Sequence, residues 1–200
     1  MKRAILVMFA GVALQAAAQE GPWDFAQLMA QLAQVQTSKA RYSEVRRLAV
    51  LREPLHFSGT LSYARPARIE KHQALPFKEV VRVDGEVLTV EREGKTRSVA
   101  LQGASLIATL VESLRATLAG DGAELERLFA VKVEGTRQRW MLRLTPRDFE
   151  VAGVVKSIGI DGSGSRVARI EILEPGGDSS VMTIHHESRE PLSMSTTDAR

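Results

Sequence analysis

Arg65 closes an alternation of apolar residues. Leu55, Phe57, Leu61 and Tyr63 share one parity, Gly59 lies among them, and Arg65 falls on the same side. Strand side chains alternate faces with period two, so a regular strand aims Arg65 the way its apolar residues point. A guanidinium keeps its proton and needs acceptors when it borders buried space. Oxygen atoms are expected to meet it there. The alternative is a surface arginine released from the pattern by Pro66, which constrains the residue before it. Other chemistry-bearing residues are sparse. His185 and His186 could grip one metal ion only from a shared face, and neighbours in a strand do not share one. His56 and His72 have no acid or nucleophile at a telling spacing. Gly162-Ser163-Gly164-Ser165 lacks the spacing of a nucleophile elbow or a phosphate loop and reads as a hairpin turn. The many carboxylates single out no acid–base pair. The expectation is a protein without catalytic residues, bound metal or cofactor.

The elements that position these residues follow from periodicity. Phe25, Leu28, Met29 and Leu32 have the i, i+3, i+4, i+7 spacing of an amphipathic helix, extended by Val35, with Pro22 near its start. From about Ala40 to Leu101 the pattern is that of strands. Asp84-Gly85 is the hairpin cue between Phe77–Val83 and Glu86–Arg92, and Glu93-Gly94-Lys95 turns the chain into Thr96–Leu101. Pro54, Pro66 and Pro76 fall near strand starts or bends, where a missing donor is tolerated. Helices interrupt at Ser105. Ile107, Leu110, Val111, Leu114 and Leu118 mark one apolar face, and Gly120 is the stop. Asp121 and Glu124 have capping-box spacing ahead of Leu125, Leu128 and Phe129. Strands resume with Trp140, Leu142 and Leu144, then Val154, Lys156, Ile158 and Ile160, a turn at Asp161-Gly162-Ser163-Gly164, and Ala168, Ile170 and Ile172. A turn at Glu174 to Asp178 precedes Val181–His186, and the last dozen residues are polar. The economical architecture is α+β: one strongly curved antiparallel sheet covered by three helices.

Composition bounds the setting. Lys2 and Arg3, the apolar run Ala4 to Leu14 and Ala16-Ala17-Ala18 read as a signal peptide, residues 1–18, cleaved after Ala18. Residues 19–200 then form one domain of ordinary size. The chain has no cysteine, which excludes thiol chemistry, disulfides and a lipidated N-terminal cysteine. An exported chain of this kind fits a bacterial periplasm. Of 27 Lys+Arg, two leave with the leader, so 25 face 24 Asp+Glu and the mature net charge is +1. With ten aromatic residues in all and no basic groove, stacking platforms for bases are not in evidence. Nucleic acid is not an expected partner, and a monomer is expected.

The ordered set of elements resembles the LolA family of periplasmic lipoprotein carriers. The resemblance rests on the opening helix, on Ser58-Gly59-Thr60-Leu61-Ser62-Tyr63-Ala64-Arg65-Pro66, on Leu75-Pro76-Phe77 and Val80–Gly85, and on Ser157 to Ile172. It implies a half-open antiparallel β-barrel with an N-terminal helix and a two-helix lid, Ser105 to Phe129. An apolar cavity would shelter acyl chains. The arginine of the family's Arg-Pro, here Arg65, would latch the lid. Wall residues would be Leu61, Tyr63, Phe77, Val81, Leu88 and Val90; lid residues would be Leu106, Ile107, Leu110, Leu114 and Phe129. The alternative for all of these is an ordinary filled core. Implied partners are an acylated lipoprotein or lipid cargo, an inner-membrane donor complex and an outer-membrane acceptor. The chain departs from the family at Glu86-Val87-Leu88-Thr89-Val90-Glu91, where carriers are aromatic-rich, and at Tyr42-Ser43-Glu44, where they have Phe-x-Gln. Those departures point to a divergent branch. Two further readings stay open: an envelope sensor binding lipid or protein on the same scaffold, and a shuttle for a non-lipoprotein lipid serving one pathway.

Overall fold

A computed structural model describes residues 23–101 and 106–186. The expected signal peptide, Pro22 and the polar tail lie outside the described residues. Helix α1 (Phe25–Leu32) begins at Asp24, whose carboxylate accepts the Gln27 amide at 2.8 Å while the Gln27 side chain accepts the Asp24 amide. This reciprocal cap satisfies two orphan donors of the first turn. Leu28, Met29 and Leu32 form its buried stripe, as their spacing requires.

A meander of six strands follows: β1 (Thr37–Arg47), β2 (Leu55–Ala64), β3 (Arg68–Leu75), β4 (Glu79–Asp84), β5 (Val87–Arg92) and β6 (Lys95–Ala100). Helices α2 (Leu106–Ala119) and α3 (Gly122–Leu128) come next. A second group holds β7 (Phe129–Thr136), β8 (Arg139–Pro146), the short α4 (Phe149–Ala152), β9 (Ser157–Ser163), β10 (Arg166–Leu173) and β11 (Ser179–His186). Strands β1 and β11 pair antiparallel, which joins both groups into one eleven-stranded sheet with β6 and β7 at its edges. The sheet does not close. Its two edges are connected by α2 and α3, so those helices must cross the inner face like a strap. This is an α+β half-open barrel.

Two apolar clusters lie between sheet and helices. The larger combines Leu28, Met29 and Leu32 of α1 with Ala116, Leu125, Phe129, Trp140, Leu142, Leu144, Ile158 and Ile160. The smaller centres on Tyr63, Ile69 and Val83, with Leu88, Val111, Leu114 and Leu118 packed against it. Trp140, Leu142 and Leu144 face inward together, and Trp140 donates its indole N–H to the Gly164 carbonyl at 2.9 Å.

Several turns fall elsewhere than their sequence cues suggested. Asp84 pairs with Val87, so the hairpin loop is Gly85-Glu86, with Gly85 at φ +57°. Glycine first in a two-residue loop suits the twist of the strands. Gly162 is not a turn residue but lies in β9 beside Trp140, where an added Cβ would collide with the indole. The turn passes to Gly164, at φ +55°. Val154 and Lys156 are outside any strand. Asp148 caps α4 by accepting the Glu150 and Val151 amides, so the chain coils there and Val155, not Val154, is buried. A bulge between Val167 and Arg169 puts Val167 inside and Ala168 outside.

Candidate functional site

Register defines the inner face, because residues directly opposite across antiparallel strands share a side. One row runs Tyr63, Ile69, Val83, Leu88 across β2 to β5. It lies under α2, which covers it with Val111, Leu114 and Leu118. The next row runs Ala40, Leu61, Lys71, Val81, Val90. Leu61, Val81 and Val90 are half-buried. A third row runs Tyr42, Gly59, Gln73, Glu79, Arg92, and a fourth pairs Glu44 with Phe57. The inner face thus passes from an apolar, covered end to a polar, partly open one.

Leu61, Tyr63, Val81, Leu88 and Val90 therefore line one continuous surface. Phe77 lies in the β3–β4 connection at the open end. Its ring meets Phe57 edge-on at 6.4 Å, and the Arg92 guanidinium sits 3.9 Å above it. The expected lid residues divide. Leu114 packs on the Tyr63 row, whereas Leu110 packs on the larger core. Phe129 is the first residue of β7 and is fully buried in that larger core. Leu106 and Ile107 open α2, and their side chains lie outside the described residues. Ile69 and Val83, not expected from the sequence, complete the apolar end together with Val111 and Leu118, whose helical spacing marked the apolar face of α2. The parity of β3 and β4 is the signal that marks Ile69 and Val83.

Arg65 is exposed and does not border buried space as the alternation suggested, because β2 ends at Ala64 before the pattern reaches it. Its amide extends the β1–β2 ladder by donating to the Gln36 carbonyl at 2.9 Å. Its guanidinium donates to the carbonyl of Ala33, the cap residue of α1. The oxygen it meets therefore belongs to α1 rather than to α2 or α3. The end of α1 in turn rests on the corner between those helices. Gly120, at φ +70°, lies so close that an added Cβ would be 2.6 Å from the Ala33 nitrogen. Only glycine combines that conformation with that approach. On the outer side, a depression of about 420 Å³ lies between Arg65 and the exposed Arg68–Asp84 pair, away from the inner-face rows.

The inner face also holds a charge cluster that sequence reading missed. Glu44 is 3 % exposed and accepts from Lys71 at 2.7 Å, Arg46 at 2.8 Å and Ser180 at 2.8 Å. Burial alone would raise its pKa. The hydrogen bonds and charge of Lys71, then Arg46 and Ser180, outweigh burial and hold it below the ordinary 4.5. Lys71 Nζ also lies 5.0 Å from the centre of the Tyr42 ring, reaching across the row where Gly59 offers no side chain. Burial, reinforced by Glu44 and Glu79, pushes the Tyr42 phenol up to about 12. Its O–H therefore remains a donor, and among the described residues it has no acceptor. The missed signal was parity: Ala40, Tyr42 and Glu44 share a side of β1.

The histidines lie apart. His185 meets the Ser43 hydroxyl at 3.1 Å and His186 meets the Val167 carbonyl at 2.7 Å, on opposite faces. His72 pairs with Glu70 at 2.9 Å on the outer face. Among the described residues, no three His, Asp or Glu side chains are grouped as metal ligands require.

An open antiparallel sheet, strapped from edge to edge by helices over an apolar inner face, defines a half-barrel of the carrier type. The sequence model described as outer membrane lipoprotein carrier protein LolA-like matches residues 16–198, and the chain belongs to that family. Its members are carrier or binding proteins of exported, envelope type. No curated protein sequence matches the chain. Among solved structures, it is similar to a LolA superfamily protein, NE2245, from Nitrosomonas europaea, at 10 % identity and a TM-score of 0.41 over 82 % of this chain and 93 % of that one. It is also similar to Mycobacterium tuberculosis lipoprotein LppX, at 12 % identity and a TM-score of 0.40 over 82 % and 97 %. For a chain of the Pseudomonas aeruginosa MucA/MucB complex the values are 12 % and 0.45 over 81 % of this chain, which spans 56 % of that one.

Proposed function

We infer that the protein is a periplasmic carrier that shelters the acyl chains of a lipoprotein or lipid and ferries them from the inner to the outer membrane. Residues 1–18 are the export signal, cleaved after Ala18, and residues 19–200 the single carrier domain. One observation carries the reading: the apolar residues Leu61, Val81 and Val90, in the row that also holds Lys71, are half-covered and adjoin the row beneath α2. An acyl chain entering there would complete the cover of the first row and compete with Val111, Leu114 and Leu118 for the second. Burial gains about 0.8 kcal/mol per CH₂, so a sixteen-carbon chain offers on the order of 12 kcal/mol before ordering costs. A strap that must be displaced offsets part of that gain and keeps the cargo releasable. Arg65, acting through α1 on the α2–α3 corner, is the latch of the empty state. Cargo would arrive from an inner-membrane donor complex and leave to an outer-membrane acceptor. Native mass spectrometry of the mature chain, isolated gently from the periplasm of its host, tests this. A bound acylated species supports the carrier, and its mass separates lipoprotein from free lipid. A chain that is empty and also rejects a fluorescent fatty-acid probe overturns it.

A further inference from the structure

Lys71 interrupts an otherwise apolar row, between Leu61 and Val81. Nothing about holding a hydrocarbon chain calls for a cation there. A lysine amine has three donors and Arg46 five, while Glu44 takes one from each. The carboxylate is 3 % exposed, yet Lys71 is 25 % and Arg46 44 % exposed, so the cations retain access to the open space and their counter-ion does not. Tyr42, only 2 % exposed and in the neighbouring row, adds a hydroxyl that has no acceptor among the described residues. Aromatic faces extend the cationic wall outward: Arg46 lies 5.1 Å over Phe57, whose ring meets Phe77 beneath Arg92. Spare donors on Lys71 and Arg46 lie around Glu44 where the apolar rows end, with the Tyr42 ring beside Lys71.

We propose that Lys71, Arg46 and the Tyr42 hydroxyl form a subsite for the anionic head of an amphiphilic ligand, a phosphate or carboxylate, whose chain lies along Leu61, Val81 and Val90. The subsite rests on the carrier reading and narrows its cargo to amphiphiles with an acidic group near the acyl chain. Glu44 is the internal stand-in for that head: it occupies the donors in the empty state and surrenders some of them when an anion arrives. Charge-assisted bonds to such an anion are stronger than neutral ones. They also fix which way round the ligand enters. The head rests at the open end, and the chain points toward α2.

The test is equilibrium binding of three twelve-carbon probes to the mature protein: dodecyl phosphate, laurate and dodecanol. The expected result is that at least one anion binds about tenfold more tightly than the alcohol. Lys71→Met should erase that preference, read as the ratio of anion to dodecanol affinity within the variant. Glu44→Gln should strengthen binding of the anion severalfold, because the competing carboxylate is gone. That gain also guards against a Lys71 variant that merely unfolds, since a purely structural ion pair predicts no tighter binding from Glu44→Gln. The two anions separate a phosphate from a carboxylate head. Dodecanol binding as tightly as both anions, or no gain from Glu44→Gln, overturns the subsite and leaves the carrier reading standing. Failure of all three probes to bind overturns both.

Discussion

Replacing Arg65 by leucine tests how the strap is held. The variant removes the donation to the Ala33 carbonyl and leaves the Gln36 backbone bond in place. A hydrogen bond to a charged donor contributes about 1.5–3 kcal/mol, and the exposure of Arg65 lowers the expectation to about 1 kcal/mol. Because Ala33 caps α1 and rests on Gly120, the loss should appear locally, at the end of α1 and the α2–α3 corner. For a domain of this size about 1 kcal/mol shifts the melting temperature by about 3 °C. It also raises local opening about fivefold. Hydrogen exchange read by mass spectrometry over residues 25–36 and 114–125 measures this directly. The same experiment on Arg68→Met, which breaks only the exposed pair with Asp84, is the control and should leave both segments unchanged. Faster exchange spread evenly over the sheet, or no change in either helical segment, would refute the latch. So would an identical pattern in the Arg68 variant.

Three further outcomes follow from other parts of the molecule. Gly162→Ala should destabilise by about 2 kcal/mol, seen as a melting temperature about 6 °C lower, because the new methyl meets the Trp140 ring. Acyl-probe affinity should be unchanged in that variant, since Gly162 lies on the β8–β9 side. Glu44 has a lowered pKa, so its contribution to stability is complete above the ordinary carboxylate value of 4.5 and disappears as pH falls through its lowered value. Melting curves between pH 7 and pH 3 should show a loss below 4.5 that is smaller in Glu44→Gln. Glu93, at φ +53° in the β5–β6 turn, should gain up to about 1 kcal/mol on replacement by Asn, checked by urea unfolding.

How much was legible follows one physical line. Where an element carries its own period or cap, sequence reading placed it: the Leu28, Met29, Leu32 stripe, the Asp121 cap and the Trp140 alternation depend on local rules. Where tertiary packing decides, it did not. Gly162 carries a turn's chemistry but is required beside Trp140, so the turn moved on to Gly164. Phe129 followed the helical spacing of Leu125, yet it starts β7 because α3 ends at Leu128. The acceptor for Arg65 was foreseeable as an oxygen, but its owner was not, since nothing local shows that Ala33 and Gly120 meet. Glu44 was visible only as a departure from a family pattern. Its meaning needs the β1–β2–β3 register, which brings Lys71 to it from 27 residues away.

The central claim is that the inner face of the half-barrel receives an acyl chain, and neighbouring residues of β4 put it to a direct test. Val81 points to the inner face, whereas Val80 pairs with His72 and Glu91 on the outer face. A photo-crosslinking amino acid placed at each position in turn, in the protein within its own host, samples both faces of one strand with one chemistry. The account predicts an acylated adduct from position 81 and none from position 80. Equal capture from both positions, or capture from 80 alone, would contradict it.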